Sequence, residues 1–345
     1  MDGERSRAVR LLPARILVVS LAADRRQLRR DSMKPFRAAA VSAALVLLCA
    51  RPAFCAPSAF AFLEIPAGAR ASALGGAFAS LAQGVEAAFW NPAGLEGVKG
   101  IQITGTHTEY LQTLRLEQFA VAGHSFGGGL AASLRALYSE PIPETDVDGN
   151  PSLEGSFGYH DLEFALAYGR SVAPGLSVGA TVQAVRERMA EVSASTYAAG
   201  FGAVWAPARV SGLRLGLSAH NLGKAARYGL DGGPGAPMPL PAAVQAGGSW
   251  QHELARGAVL RTALEGRFTR GRNGIGMVGV EVATAGGANG AGAASLRGGL
   301  RVNDDASSYS LGAGYVLAGL RVDYAFVPLR FDLGDTHRVA FTAQF

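Results

Sequence analysis

Gly123-His124-Ser125-Phe126-Gly127 has the G-x-S-x-G spacing of a nucleophile elbow and follows the strand-like run Phe119-Ala120-Val121-Ala122. A sharp strand-to-helix turn of this kind exposes a serine hydroxyl, and Gly128 to Tyr138 has the composition to continue as the helix behind it. A secreted serine hydrolase would then use Ser125 as nucleophile, His252 or His337 as base, and an aspartate to orient that base. No HGG-type oxyanion segment precedes the serine, and no alternation of helices with parallel strands follows it. The competing reading makes His124 to Gly128 a small-residue hairpin.

Two further motifs fail on their context. Gly274-Ile275-Gly276-Met277-Val278-Gly279 matches G-x-G-x-x-G but runs into Val280-Glu281-Val282, a strand, whereas a dinucleotide site needs a helix N-terminus under the pyrophosphate. Asp146-Val147-Asp148-Gly149-Asn150 begins like a calcium loop, but Pro151 stands at the sixth position and Phe157 at the twelfth, so a solvated turn is expected. His107, His124, His160, His220, His252 and His337 show no ligand spacing, and neither a metal nor a cofactor is expected.

The elements that must position any site begin after a leader. Residues 1–32 are arginine-rich and read as an upstream extension before a true start at Met33. Residues 33–56 read as a signal peptide, with Lys34 and Arg37 before the apolar run Ala38 to Ala50 and cleavage expected near Ala56. That run is too short to be a comfortable membrane span. The leader carries 11 of the 32 Lys and Arg and 4 of the 27 Asp and Glu, so the remainder holds 21 basic against 23 acidic residues. The basic balance of the whole chain therefore gives no support for nucleic-acid binding. Cys49 and Cys55 leave with the leader, which removes thiol, disulfide and cysteine-metal chemistry.

From Gly100 onward the hydrophobic period is two, and residues 100–345 read as fourteen antiparallel strands. Leu213, Leu215 and Leu217 oppose Arg214, Gly216, Ser218 and His220, while Leu320, Val322, Tyr324 and Phe326 oppose Arg321 and Asp323. Segments of about ten residues with this alternation fit tilted strands of a transmembrane β-barrel. The two longest links, Glu140 to Phe157 and Leu222 to Pro241, follow odd-numbered strands, whereas Ala173-Pro174-Gly175 and Ala318-Gly319 follow even ones. Long outer loops and short periplasmic turns have this asymmetry. The parity of the strands turns Arg261, Glu265, Arg267, Arg321, Asp323 and Arg338 inward. They are expected to pair with one another and hold a plug, with lining a path or orienting an amphipathic ligand as the alternative.

Residues 57–99 do not alternate and read as a short N-terminal hatch, or plug, inside the barrel. Within them Pro92 biases Asn91 away from helix, Gly94 supplies a turn, and Val85 to Trp90 can make only a turn or two of helix. The run from Gly68-Ala69-Arg70-Ala71 through Gly75-Gly76-Ala77-Phe78 to Trp90-Asn91-Pro92-Ala93-Gly94-Leu95 resembles the opening of the PorV/PorQ family of outer-membrane proteins, itself similar to the FadL-type transporters of hydrophobic compounds. Leu333-Gly334-Asp335-Thr336-His337-Arg338-Val339 to Phe345 resembles that family's final loop and strand, and the middle is matched only in pattern.

The resemblance implies a non-enzymatic outer-membrane barrel in a Gram-negative-type bacterium, surrounded by outer-membrane lipid. A chain ending in Phe345 is what the barrel assembly machinery commonly recognises. In the family's better-known members a barrel receives secreted proteins in a type IX-like secretion system, which would make the 140–157 and 222–241 loops the contact surface for cargo or secretion components. The alternative is a FadL-like channel in which a hydrophobic molecule passes Trp90, Asn91, Pro92 and Ala93. The Ser125 hydrolase ranks third.

Overall fold

The computed structural model describes residues 58–345 except 112, 146–150, 231 and 286–291. The leader segments 1–32 and 33–56, the calcium-like run 146–150 and residue 57 lie outside the described residues. The strands are β1 (Ile101–Glu109), β2 (Leu114–Ser125), β3 (Gly128–Ser139), β4 (Tyr159–Ala173), β5 (Leu176–Met189), β6 (Val192–Trp205) and β7 (Leu213–Gly223). They continue as β8 (Ala243–Glu253), β9 (Val259–Thr269), β10 (Ile275–Ala283), β11 (Ala293–Val302), β12 (Tyr309–Leu317), β13 (Leu320–Pro328) and β14 (Asp335–Gln344). Each pairs antiparallel with its sequence neighbours, and β1 closes on β14 with Gln102 opposite Gln344 and Glu109 opposite His337. The fold is a closed fourteen-stranded antiparallel transmembrane β-barrel, as the alternation predicted.

Its faces are inverted relative to a soluble sheet. On β4, Leu162, Phe164 and Leu166 point outward and are exposed, while Asp161 and Glu163 between them are buried. Leu296 is 71% and Val302 66% exposed on the outside of β11, where Arg297 is buried inside. Apolar side chains are stable in this position only when something other than water covers them, which is the condition of a membrane barrel. Among the described residues no helix is long and apolar enough to cross a membrane.

The link rule holds at the two long links, but each carries structure that the sequence did not signal. Ile142–Thr145 pairs with Pro151–Phe157 between β3 and β4, and Gly229–Leu230 pairs with Gly233–Pro234 between β7 and β8. The end bearing these links is termed upper. The lower end is not uniformly short, because the 206–212 connection lies there.

The stretch Gly128 to Tyr138 is strand β3 and not a helix. Leu130 and Leu134 face out while Ala131, Ser133 and Arg135 face in, a period no helix can satisfy. Phe126 and Gly127, at φ 52° and 71°, form the two-residue turn between β2 and β3. Positive φ at both positions is the geometry that matches the twist of a hairpin, so the second glycine of the G-x-S-x-G run is a turn residue. Ser125 lies at the lower end of the barrel. His337 pairs with Glu109 at the upper end, and His252 stands on β8, six strands away around the wall. The hydrolase geometry is absent.

Candidate functional site

Residues 58–99 lie inside the barrel and run from its upper to its lower end. They form only short turns: Ala61–Glu64, Ala69–Ala73, Gly84–Glu86, Ala87–Trp90 and Pro92–Gly97. Phe60, Phe62, Phe78, Leu74, Leu95 and Asn91 are all fully buried. A luminal segment this close to the wall requires that the wall have no side chains at the points of contact, and glycines supply them. A Cβ on Gly129 of β3 would collide with the Leu95 carbonyl, on Gly169 of β4 with the Pro92 carbonyl, on Gly179 of β5 with the Pro92 backbone, and on Gly202 of β6 with the Asn91 amide. Adjacent strands thus offer a bed of bare backbone to the 91–95 turn. Gly179→Val is expected to leave the barrel assembled but displace this turn. Protease digestion from the lower end should then cut near residues 91–97 at a rate at least about tenfold above the unmodified chain, the effect of roughly 1.4 kcal/mol.

Asn91 locks that turn. Its side-chain nitrogen donates to the carbonyls of Ala79 (2.9 Å), Ala203 (3.2 Å) and Leu217 (3.3 Å), and its oxygen accepts from the Ala93 amide (3.2 Å). The side chain therefore ties the segment to itself and to β6 and β7. Trp90 donates from its indole to the Ala67 carbonyl at 2.9 Å and packs edge-on against Phe78. Pro92 and Ala93 are buried against the glycine bed. The four residues singled out for the hatch thus occupy one place, where they seat the segment.

The six inward charges do not form one network. Arg261, Arg321 and Asp323 belong to a cluster completed by Arg70, Glu86, Glu281 and Arg297. Glu281 accepts from Arg70 Nε (2.9 Å) and Nη2 (3.0 Å), Arg261 Nη1 (2.7 Å) and Arg297 Nε (2.6 Å). Arg297 also donates to Asp323 (2.7 Å), and Arg321 lies 2.7 Å from both Glu86 and Asp323. Arg70 and Glu86 come from the luminal segment, so this cluster latches it to β9, β10, β11 and β13. Burial alone would push the Glu86 carboxyl up, but the Arg321 and Arg70 guanidiniums beside it outweigh this and hold it below the usual carboxylate range.

The other three charges act separately. Glu265, fully buried, accepts from the amides of Ala79 (2.9 Å) and Ser80 (2.8 Å), from the Ser80 hydroxyl (2.6 Å) and from Gln245 (2.6 Å). Arg338 donates to the Pro66 carbonyl and the Ser72 hydroxyl. Arg267 lines cavities between segment and wall. Sequence reasoning missed Arg135, which caps the Phe62 and Ile65 carbonyls at 3.1 and 2.8 Å, although its inward parity on β3 was readable.

The space the segment leaves is distributed unevenly. At the upper mouth a cavity of about 1070 Å³ lies among Phe62, Leu111, Leu114, Leu137 and Met189. It shares Ala61, Ile65 and Tyr110 with a deeper cavity of about 350 Å³, which in turn shares Ile65, Pro66, Trp90 and Arg267 with a small luminal space of about 50 Å³. Gln183 borders that space from inside the wall, and on the outer face of the same wall lies an open hollow among the outward-facing Phe164, Leu166, Val182, Tyr197 and Leu222. Here the wall is irregular: the β6–β7 register shifts between Ala199 and Phe201, and Asn221 adopts φ 57°. A lower vestibule of about 630 Å³ is polar, bordered by Arg70, Glu96, Lys99, Arg214 and Arg321, and shares no lining residue with the upper spaces.

These features define a transmembrane barrel whose lumen is occupied by its own N-terminal segment. Solved structures of membrane transporters and channels are similar to this chain. The toluene transporter TbuX of Ralstonia pickettii aligns over 81% of this chain and 98% of its own, with 14% identity and a TM-score of 0.53. The monoaromatic hydrocarbon channel CymD aligns over the same shares, with 13% identity and a TM-score of 0.55. The P. putida toluene transporter TodX gives 81% and 98%, 13% identity and 0.54. At these identities the likeness is one of fold. A family model described as an uncharacterised protein family, UPF0164, matches residues 36–200. No curated protein matches the sequence.

Proposed function

We propose that the chain is an outer-membrane channel for hydrophobic small molecules, with residues 58–99 as its hatch and the upper end facing outward. The observation that carries this reading is the succession of spaces linked by shared residues, from the upper mouth past Trp90 to the irregular wall at β6 and β7. Its upper mouth is largely apolar, its narrow waist by Arg135, Gln183, Asn221 and Gln245 is polar, and it ends against the inner side of a wall whose outer face meets lipid, while the lower vestibule is separated from it by the charged latch. An apolar solute gains nothing by crossing that latch, since each polar group it displaced would lose its partner. The toluene and monoaromatic-hydrocarbon channels of the same fold give this reading further support.

A second reading, docking of secreted proteins in the manner of PorV, is favoured by the apolar side chains exposed on the upper links. Phe331 is 73%, Leu230 53% and Leu333 51% exposed. A contact surface of this kind would need neither the inner cavities nor the wall irregularity.

Uptake of labelled toluene by a Gram-negative host separates the two, because an outer leaflet of lipopolysaccharide resists apolar solutes. Cells making the chain should take up toluene faster than the same cells without it, and Ala199→Trp at the outer hollow should return the rate to that of the host. Equal uptake with and without the chain would refute the channel and leave docking.

A further inference from the structure

The 350 Å³ cavity carries more positive charge than its acids balance. Arg301 is paired with Asp304 at 2.9 Å and Arg272 with Glu64 at 3.3 Å, and the remaining acid, Asp305, is exposed. Arg338 meets only neutral oxygens, and its Nε is buried with no partner. Arg267 has no hydrogen-bond or ion-pair partner among the described residues, yet it borders both this cavity and the smaller one beneath it. Arg338 is withdrawn from water without a counter-charge, which is costly, and the partly exposed Arg267 opens on the same cavity without one, so the two leave a place for an anion. The rest of the wall is mixed: Tyr110, Thr269, Asn273, Asn303 and Ser307 are polar, and Ile65, Trp90, Ile275, Met277, Val327 and Leu329 give it an apolar side.

We infer that this cavity binds a compact apolar monocarboxylate, a single-ring or short-chain acid, with its carboxylate at Arg267 and Arg338 and its body against Trp90, Ile275 and Met277. The planar guanidinium fork matches a carboxylate in two parallel hydrogen bonds, which inorganic phosphate could also use, but phosphate would leave the apolar wall uncovered. The volume is at the small end for ligand sites, so a long acyl chain gains nothing by entering. The inference rests on the channel reading and narrows it: the solute handled best is an acid and not a neutral hydrocarbon.

The test uses the full chain in detergent with Trp205 and Trp250 changed to phenylalanine, so that Trp90 alone reports binding. Benzoate should bind at least about tenfold more tightly than toluene at neutral pH, with dodecanoate no tighter than benzoate and phosphate unable to compete. Arg267→Gln should abolish the preference, with unchanged heat-modifiable gel mobility showing that the variant is folded, and Arg267→Lys should keep most of it. Equal binding of benzoate and toluene, a preference that survives Arg267→Gln, or displacement of benzoate by equimolar phosphate would each overturn the inference. Toluene uptake by cells without a benzoate preference in the purified chain removes the inference alone. Absence of both removes the channel reading as well.

Discussion

Glu281→Ala is expected to destabilise the folded barrel by about 3–5 kcal/mol, the cost of leaving buried charges without their partner. The carboxylate accepts from three arginines at once, and only two of the three touch a second carboxylate. Arg297 retains Asp323 and Arg70 retains a 3.5 Å contact to Glu86, but Arg261 keeps only an exposed bond to Gln251. Because Arg70 belongs to the luminal segment and the other two to the wall, the loss should appear both as a lower midpoint for heat-modified gel mobility and as a loosened hatch. Glu281→Gln keeps the shape and one acceptor but not the charge, and should fall between. A midpoint unchanged by Glu281→Ala would mean that the cluster does not hold the segment.

Glu265→Ala addresses the hatch more directly. It removes the acceptor for two amides of the 79–80 turn and for the Ser80 hydroxyl, none of which the Glu281 cluster touches. Each buried donor left unmade costs about 1–3 kcal/mol, whereas the barrel's own ladder of backbone bonds is untouched. The segment should therefore leave its seat while the wall stays closed. In planar bilayers the unmodified chain is expected to be nearly silent to ions and the variant to show open, salt-dependent conductance. Glu265→Gln, which can still accept from one amide, should conduct less. A silent Glu265→Ala barrel with normal heat-modifiable mobility would show that the segment is held elsewhere.

The strands were legible because their parity is enforced by two environments at once. Leu213, Leu215 and Leu217 meet lipid and Arg214 and Ser218 meet the lumen, so a slip by one residue would exchange them all. The short turns at Phe126-Gly127 and Ala318-Gly319 were legible for the same reason, since few residues accept positive φ in sequence. The partners of the inward charges were not. Parity says that Glu265 and Arg267 both face the lumen, but not that one meets the 79–80 turn and the other a cavity, because that depends on the path of a segment without period. Glu281 was concealed by its position just after the Gly274 to Gly279 run, whose glycines drew attention to a nucleotide motif. Arg70 read as part of a family motif and not as an ion-pair partner. The glycine bed was equally hidden: Gly129, Gly169, Gly179 and Gly202 are far apart in the chain, and only the closed sheet brings them side by side beneath Asn91 and Pro92.

The most direct measurement is made on the chain purified from membranes of a Gram-negative host: outer-membrane fractionation, heat-modifiable gel mobility, and mass spectrometry of what the folded protein releases on heating. The account predicts an outer-membrane species that changes mobility on heating and releases small apolar molecules, acids above all, which Arg267→Gln no longer retains. A soluble periplasmic protein would contradict the barrel's place in the membrane. A folded outer-membrane barrel that releases nothing apolar, even after growth on toluene or benzoate, would contradict the channel.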